Sequence, residues 1–244
     1  MTLTFADLPL RKETIAALNE HGYTAPFPIQ EQVLSIALAD GDVIGQAKTG
    51  TGKTLAFGIP LVDRVIAPAD EEWKNFEYQD SPQVLVVVPT RELCVQVTKD
   101  LEEITQSRKI RVLAVYGGRA FEPQIEALQN GVEIIVGTPG RLLDLYRQGQ
   151  VKLASVTRVV LDEADEMLDL GFLPDVEKIF ASTPNRTQTM LFSATMPEEI
   201  LKIIKTYMAA NTPKIAVNKN DLVNVNITHQ YIKTEVKDKV NLLI

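Results

Sequence analysis

Residues 84–88 are continuously aliphatic, and they belong to a series of short apolar runs at 42–46, 84–88, 110–116, 132–137, 157–161, 189–192 and 214–217. A strand with one wet face alternates apolar and polar side chains. These runs do not, so both of their faces are covered. Separated by amphipathic stretches of helical length, they predict an α/β domain: a mostly parallel central sheet with helices on both faces. In such a sheet, ligands gather at the carboxyl ends of the strands. The polar clusters fall there. Val88 leads into Pro89-Thr90-Arg91-Glu92-Leu93, Tyr116 into Gly117-Gly118, Gly137 into Thr138-Pro139-Gly140-Arg141, Leu161 into Asp162-Glu163-Ala164-Asp165, and Phe192 into Ser193-Ala194-Thr195.

The first strand, 42–46, is followed by Ala47-Lys48-Thr49-Gly50-Thr51-Gly52-Lys53-Thr54 and a helical run over 53–66. This strand, loop and helix has the form of a phosphate-binding loop. Gly50 and Gly52 permit turns that a Cβ would block, so that successive N–H groups point at anionic oxygens. Lys53 adds a charge at the β/γ-phosphates, the Thr54 hydroxyl is placed for Mg²⁺, and the helix N-terminus adds its partial positive charge. The usual pattern opens with Gly, where this chain has Ala47. That restricts the backbone and removes no ligand.

The acids after Leu161 exceed what a strand end needs for folding. Any one of them could serve a helix N-terminus. Beside a phosphate loop, however, carboxylates suit a hydrated Mg²⁺, which takes one or two of them plus phosphate oxygens. Asp162 is the candidate for holding the metal through water, and Glu163 for polarising the water that attacks the γ-phosphate. Ser193 and Thr195 can bond a carboxylate such as Asp165 and tie neighbouring strand ends.

Ahead of the loop, residues 5–21 predict an approach and a helix, with Asp7 as cap, Pro9 in the first turn, Ile15 and Leu18 on one face, and Gly22 as the stop. Pro26 and Pro28 then stiffen an extended path that presents Tyr23 and Gln30 before a helix over 30–39. An amide matches the N6 and N7 edge of adenine, and an aromatic ring can stack on the base. The hydroxyls, backbone amides and guanidinium groups of Thr90, Arg91, Gly118, Thr138 and Arg141 suit contact with a phosphodiester backbone without reading sequence. Arg91 and Arg141 are equally compatible with helix-start surface charges.

The net charge of −7 over 244 residues argues against a surface that grips nucleic acid everywhere. Residues 70–80 carry five acids and one Lys, so they contribute −4 of it and leave room for a local basic groove. This segment, with Trp73, Phe76 and Tyr78, reads as a solvated loop or a partner-docking insert. No apolar run approaches a membrane span and residues 1–10 lack a leader pattern, so the expectation is a soluble, cytoplasmic chain with no membrane partner. The single Cys94 shares a helical face with Val97 and Leu101 and reads as a buried small hydrophobe. His21 and His229 suggest no ligand role. Asn218-Lys219-Asn220-Asp221 matches a guanine-reading signature, but no D-x-x-G follows the phosphate loop, which sets a GTPase aside. The domain is expected over 1–211, and 212–244 to hold a last strand, a connector and a helix that is cut off.

From Phe5 to Thr195 the chain resembles the N-terminal RecA-like P-loop domain of DEAD-box RNA helicases. The resemblance rests on Phe5 and Tyr23 to Gln30, the Ala47 to Thr54 loop, Pro89 to Leu93, Gly117-Gly118, Thr138 to Arg141, the literal Asp162 to Asp165, and Ser193 to Thr195. It implies ATP as cofactor with Mg²⁺, ATP hydrolysis coupled to separating short RNA duplexes, and an adenine site that includes Phe5, Tyr23 and Gln30. It also implies RNA contacts from Pro89, Thr90, Arg91, Gly117, Gly118, Thr138, Pro139, Gly140 and Arg141. Catalytic work is assigned to Lys53, Asp162, Glu163, Asp165, Ser193 and Thr195. Phe27 stands where the family usually has Thr, and Cys94 where it usually has Ala. The family's second RecA-like domain, with the arginines that reach the γ-phosphate, is absent. The chain alone is therefore expected to be a monomer that binds nucleotide, hydrolyses it slowly and does not unwind. The other reading is a non-catalytic RNA- or protein-binding domain that uses nucleotide as a switch or not at all.

Overall fold

The computed structural model describes residues 3–48 and 50–216. Its elements are α1 (Lys12–Glu20), α2 (Pro28–Ala37), β1 (Val43–Gln46), α3 (Lys53–Arg64), β2 (Val84–Val87), α4 (Arg91–Thr105), β3 (Val112–Val115), α5 (Glu122–Gln129), β4 (Ile134–Gly137), α6 (Pro139–Arg147), β5 (Arg158–Leu161), α7 (Ala164–Asp169), α8 (Leu173–Ala181), β6 (Gln188–Ser193), α9 (Glu198–Tyr207) and β7 (Lys214–Ala216). The strands form one sheet of seven in the order β3-β4-β2-β5-β6-β1-β7. Every pairing in it is parallel.

Both faces of the sheet are dry, as the unbroken aliphatic runs require. Along β2, Val84, Val86 and Val88 pack with Phe57, Leu61, Val97 and Leu101 of α3 and α4, while Leu85 and Val87 pack into the second core, which includes Leu142, Leu145, Ile179 and Ile203. Cys94 is fully buried in the first core, its Sγ 3.1 Å from the Val136 carbonyl oxygen, and burial pushes its thiol up to about 12. Among the described residues no helix is long and apolar enough to cross a membrane.

Several boundaries differ from the expectation. Strand β3 is shorter than 110–116, because the buried Glu133 carboxylate takes the Arg111 N–H at 2.6 Å and holds its guanidinium as well. Helix α2 begins at Pro28 rather than Gln30, since a proline at the first helical position lacks only an N–H that would have had no partner. Asp7 does not cap α1. Its carboxylate accepts the Thr4 N–H and hydroxyl at 2.9 and 2.7 Å and closes a separate turn over Phe5–Asp7. The start of α1 is met from α3, where Asp63 accepts the Arg11 N–H at 2.7 Å and the Thr14 hydroxyl at 2.9 Å. The buried face of α1 is Thr14, Ala17 and Leu18, with Ile15 only half-buried. β7, within the last strand expected at 214–217, pairs in parallel with β1. Val217, the 218–221 signature, the connector, His229 and the last helix lie outside the described residues.

The acidic segment is tied down more than a solvated loop would be. The Asp70 carboxylate accepts the Ala67 N–H at 2.8 Å and pairs with Arg108, which is 2% exposed. Arg108 also donates to the carbonyls of Val62 and Val65 at the end of α3. Trp73, Phe76 and Tyr78 form a chain of ring contacts at 6.0 Å each, and Arg111 lies over Trp73. Glu71, Glu72, Glu77 and Asp80 remain exposed. Asp70→Ala leaves a buried guanidinium without its counter-charge and is expected to cost about 3 kcal/mol, whereas Glu72→Ala should change stability by less than about 0.5 kcal/mol. Urea denaturation midpoints of the two variants check this.

Candidate functional site

The loop after β1 turns into α3 through two glycines in the left-handed region, Gly50 (φ +82°) and Gly52 (φ +85°). At Gly52 a side chain is excluded twice over, by that dihedral and by the Gln30 Nε2 atom 2.7 Å from where a Cβ would sit. Ala47, in place of the usual first glycine, puts its methyl into the core, 3% exposed, so the substitution is absorbed without opening the loop. The Thr51 hydroxyl donates to the Lys48 carbonyl at 2.9 Å and closes the turn. Lys48 is exposed, and Thr49 lies outside the described residues.

Lys53, the first residue of α3, reaches Asp162 at the end of β5 with Nζ 3.3 Å from Oδ1, and both side chains are almost fully buried. Burial pushes the Asp162 carboxyl above its ordinary range, and the Lys53 ammonium opposes this without cancelling it. Glu163 follows with φ +55°, a left-handed conformation uncommon for a residue with a Cβ. Such a conformation costs about 1–3 kcal/mol and clusters at working sites. Here it caps α7 and turns the chain at the rim of two adjoining cavities. One, of about 280 Å³, is lined by Tyr23, Phe27, Gln30, Gly50, Gly52, Lys53, Thr54, Asp162 and Glu163, with Leu55, Leu93, Gln96 and Asp100. The other, of about 210 Å³, shares Lys53 and Glu163 and adds Asp165, Glu166, Asp169 and Ala194.

Asp165 ties β5 to β6. Its carboxylate accepts the Thr195 N–H and hydroxyl, both at 2.9 Å, and its own N–H donates to Ser193 Oγ at 3.1 Å. Partial burial pushes this carboxyl up, and the hydrogen bonds from Ser193, Thr195 and Ala194 outweigh it, so its pKa lies below the ordinary 3.8.

At the far end of the larger cavity the Gln30 amide is held by two backbone groups. Oε1 accepts the Phe27 N–H at 2.9 Å and Nε2 donates to the Gly52 carbonyl at 3.0 Å. Each bond uses one of two available positions, so one N–H and one lone pair remain. Tyr23 lines the same end, its hydroxyl 3.4 Å from Glu103. Burial first, and then that carboxylate, raise its pKa. Phe5, expected at the base site, is 1% exposed in the first core and is not among the residues that line these two cavities. It anchors the segment through its N–H to the Thr24 carbonyl. Gln96 and Asp100 were not legible as site residues. They stand with Leu93 at i, i+3 and i+7 on α4, one step around from the apolar Cys94, Val97 and Leu101 face, and Asp100 takes the Thr54 hydroxyl as a hydrogen bond. A polar pair beside an apolar stripe was the available signal.

Strand order brings the remaining motifs to the other half of the same edge, at the ends of β2, β4 and β3. Arg91 and Gly117-Gly118 are exposed, with the Arg91 guanidinium 5.1 Å from the Tyr116 ring centroid. Thr90 and Thr138 are N-caps, and the Thr90 oxygen accepts the Leu93 N–H at 3.3 Å. Pro89 and Pro139 are buried and Gly140 is half-buried. Arg141 is not the free surface charge considered from sequence. It is 9% exposed, stacks 3.8 Å from the Phe121 ring centroid and donates to the Arg119 carbonyl at 2.8 Å, while its Nη1 is buried without a protein partner.

Because the Asp165 pKa is depressed in the fold, its contribution to stability is present above the unfolded value and is lost as pH falls through the folded one. Thr195→Val should therefore cost about 1 kcal/mol near neutral pH, and the difference from the parent should shrink below about pH 4. Denaturation midpoints across pH check this. A difference that stays constant with pH would contradict it.

Comparison with known proteins agrees with this geometry. The family model for DEAD/DEAH box helicases matches residues 27–203. The DEAD-box ATP-dependent RNA helicase CshA of Bacillus licheniformis is 43% identical over 243 residues, covering 100% of this chain and 48% of its own. CshA of Geobacillus kaustophilus is 43% identical over 98% of this chain and 49% of its own. This chain thus spans about half the length of the curated relatives it matches. Among solved structures, a DEAD box protein from Methanococcus jannaschii is similar over 100% of this chain and 63% of its own, with a TM-score of 0.79 and 33% identity. A hypothetical ATP-dependent RNA helicase from Sulfolobus tokodaii matches 85% of this chain and 57% of its own with a TM-score of 0.75 and 36% identity. With the family model covering most of the chain, and with the Lys53, Asp162 and Asp165 constellation on the edge of a parallel sheet, the chain belongs to the DEAD/DEAH box helicase family.

Proposed function

We propose that this chain is the ATP-binding half of an RNA helicase and couples ATP and RNA binding to duplex separation when joined to a second RecA-like domain. The observation that carries the reading is the Lys53–Asp162 contact of 3.3 Å inside a cavity that runs from Tyr23 and Gln30 to Glu163. Gly50, Gly52 and the start of α3 receive the phosphates, with Lys53 as their counter-charge. Among the groups lining the cavity, the Asp162 carboxylate and the Thr54 hydroxyl offer a sparse oxygen donor set that fits Mg²⁺ arriving with a nucleotide. When bound, the metal would screen phosphate charge. Glu163 then orients and deprotonates the attacking water. Asp165, Ser193 and Thr195 hold the two strand ends in register, so that a change at the phosphates is passed to the rim.

The spare N–H and lone pair of Gln30 favour adenine, whose N7 accepts where its N6 donates. Guanine presents O6 instead of that donor. RNA contact is assigned to the exposed half of the rim, Arg91, Gly117 and Gly118, with Thr90, Thr138 and the Gly140 backbone. Arg141 and the buried prolines shape the rim from beneath. Among the described residues lining the two cavities, Lys53 is the one cation. Arginine at the γ-phosphate is worth roughly 10³ to 10⁵ in rate, so the second domain has to supply it. A monomeric, cytoplasmic protein is the proposed setting.

Calorimetric titration with ADP and Mg²⁺ tests the nucleotide site: Lys53→Ala should weaken binding at least about ten-fold, the loss of one charge-assisted phosphate contact. GTP should compete poorly with ATP. In a version carrying the second domain, Glu163→Gln should abolish hydrolysis and leave ATP binding largely intact. RNA-stimulated turnover and unwinding by this chain alone would contradict the need for that domain.

A further inference from the structure

Among the described residues, Phe27 is the most exposed of the large hydrophobic side chains, at 61%, and nothing in the core explains it. It is not at a loop tip. It is the N-cap of α2, with φ −70° and ψ 160°, held between Pro26 and Pro28. Both neighbours fix their own φ, and Pro28 also confines Phe27 to extended backbone. The Phe27 N–H is locked onto Gln30 Oε1. Its ring stands over the phosphate loop, with Cδ2 3.0 Å from where a Cβ on Gly52 would sit. It lines the larger cavity together with Tyr23, Gln30 and Leu93. An apolar ring thus lies in water at the mouth of a cavity whose inner end is charged, beside the amide that offers a free donor and acceptor.

We propose that Phe27 is a specificity-determining wall of this site, covering the face of a purine base whose edge Gln30 reads. The inference rests on the nucleotide reading above and adds a residue to it. Exposure of the ring at the cavity is a standing cost in apolar hydration, relieved when a base covers it. Stacking is indifferent to base identity but scales with ring area, so Phe27 selects purine over pyrimidine while Gln30 selects adenine over guanine. The backbone is preorganised on both sides, so little backbone freedom is lost on binding.

The test uses the whole chain with Mg²⁺ and three probes: ADP, CDP and inorganic tripolyphosphate, which has no base. Phe27→Thr should weaken ADP about ten-fold, the scale of one base–aromatic stack. It should weaken CDP less and leave tripolyphosphate unchanged. Phe27→Trp should restore ADP binding. As an exposed side chain, Phe27 can be replaced with little effect on thermal unfolding. An unchanged ADP affinity, or equal losses for all three probes, would overturn the inference and leave the nucleotide site standing. So would tighter ADP binding, which would make Phe27 a plug. If the unaltered chain bound neither ADP nor tripolyphosphate, the nucleotide reading would fall and take this inference with it.

Discussion

The Lys53 ammonium and the Asp162 carboxylate meet at 3.3 Å in a place from which water is nearly excluded. Taking either charge out of water alone would be expensive, and the pair persists because each offsets the other. The contact binds the first turn of α3 to the end of β5, elements far apart in the chain, and β1, the strand that leads into α3, is separated from β5 in the sheet by β6. It holds the phosphate loop and the acidic turn facing one another. A polyanion entering the cavity would meet Lys53 already placed and would compete with Asp162 for it.

Around that contact the geometry follows from strand order. The order β3-β4-β2-β5-β6-β1-β7 sets the phosphate loop, the Ser193–Thr195 turn and the acidic turn side by side, and continues to the rim motifs of β2, β4 and β3. β5 therefore lies between the two halves of the edge. Asp165 joins the Ser193 and Thr195 turn to the acids by four hydrogen bonds. The strained Glu163 backbone, next to this clasp, is kept by the rigidity of what surrounds it.

Where expectation and structure part, the cause is a long-range partner. Asp70 is one of five acids in its segment, and only its distance from Arg108 in the fold makes it a buried anchor. Arg141 reads like any arginine at a helix start until Phe121, from the loop between β3 and α5, covers it. Phe5 belongs to a motif yet serves the core, and α1 is met at its start by Asp63 of another helix. Asp100 and Gln96 could not be singled out on α4, because what distinguishes them is the side of the helix that faces Thr54. Phe27 could be noticed as a departure, but its direction could not.

The sequence by itself determined the class of fold, through aliphatic runs that only a sheet buried on both faces can use, and the chemistry of the phosphate loop, through glycines and a lysine at fixed spacing. Those are local properties: side-chain period and backbone freedom act within a few residues. Tertiary structure decided which polar groups meet. It assigned Lys53 to Asp162, Thr195 to Asp165 and Gln30 to the Gly52 carbonyl, and it drew Arg141 inward while leaving Phe27 in water. Burial and pairing at these positions depend on residues distant in the chain. No local pattern encodes the order in which seven parallel strands are laid beside one another.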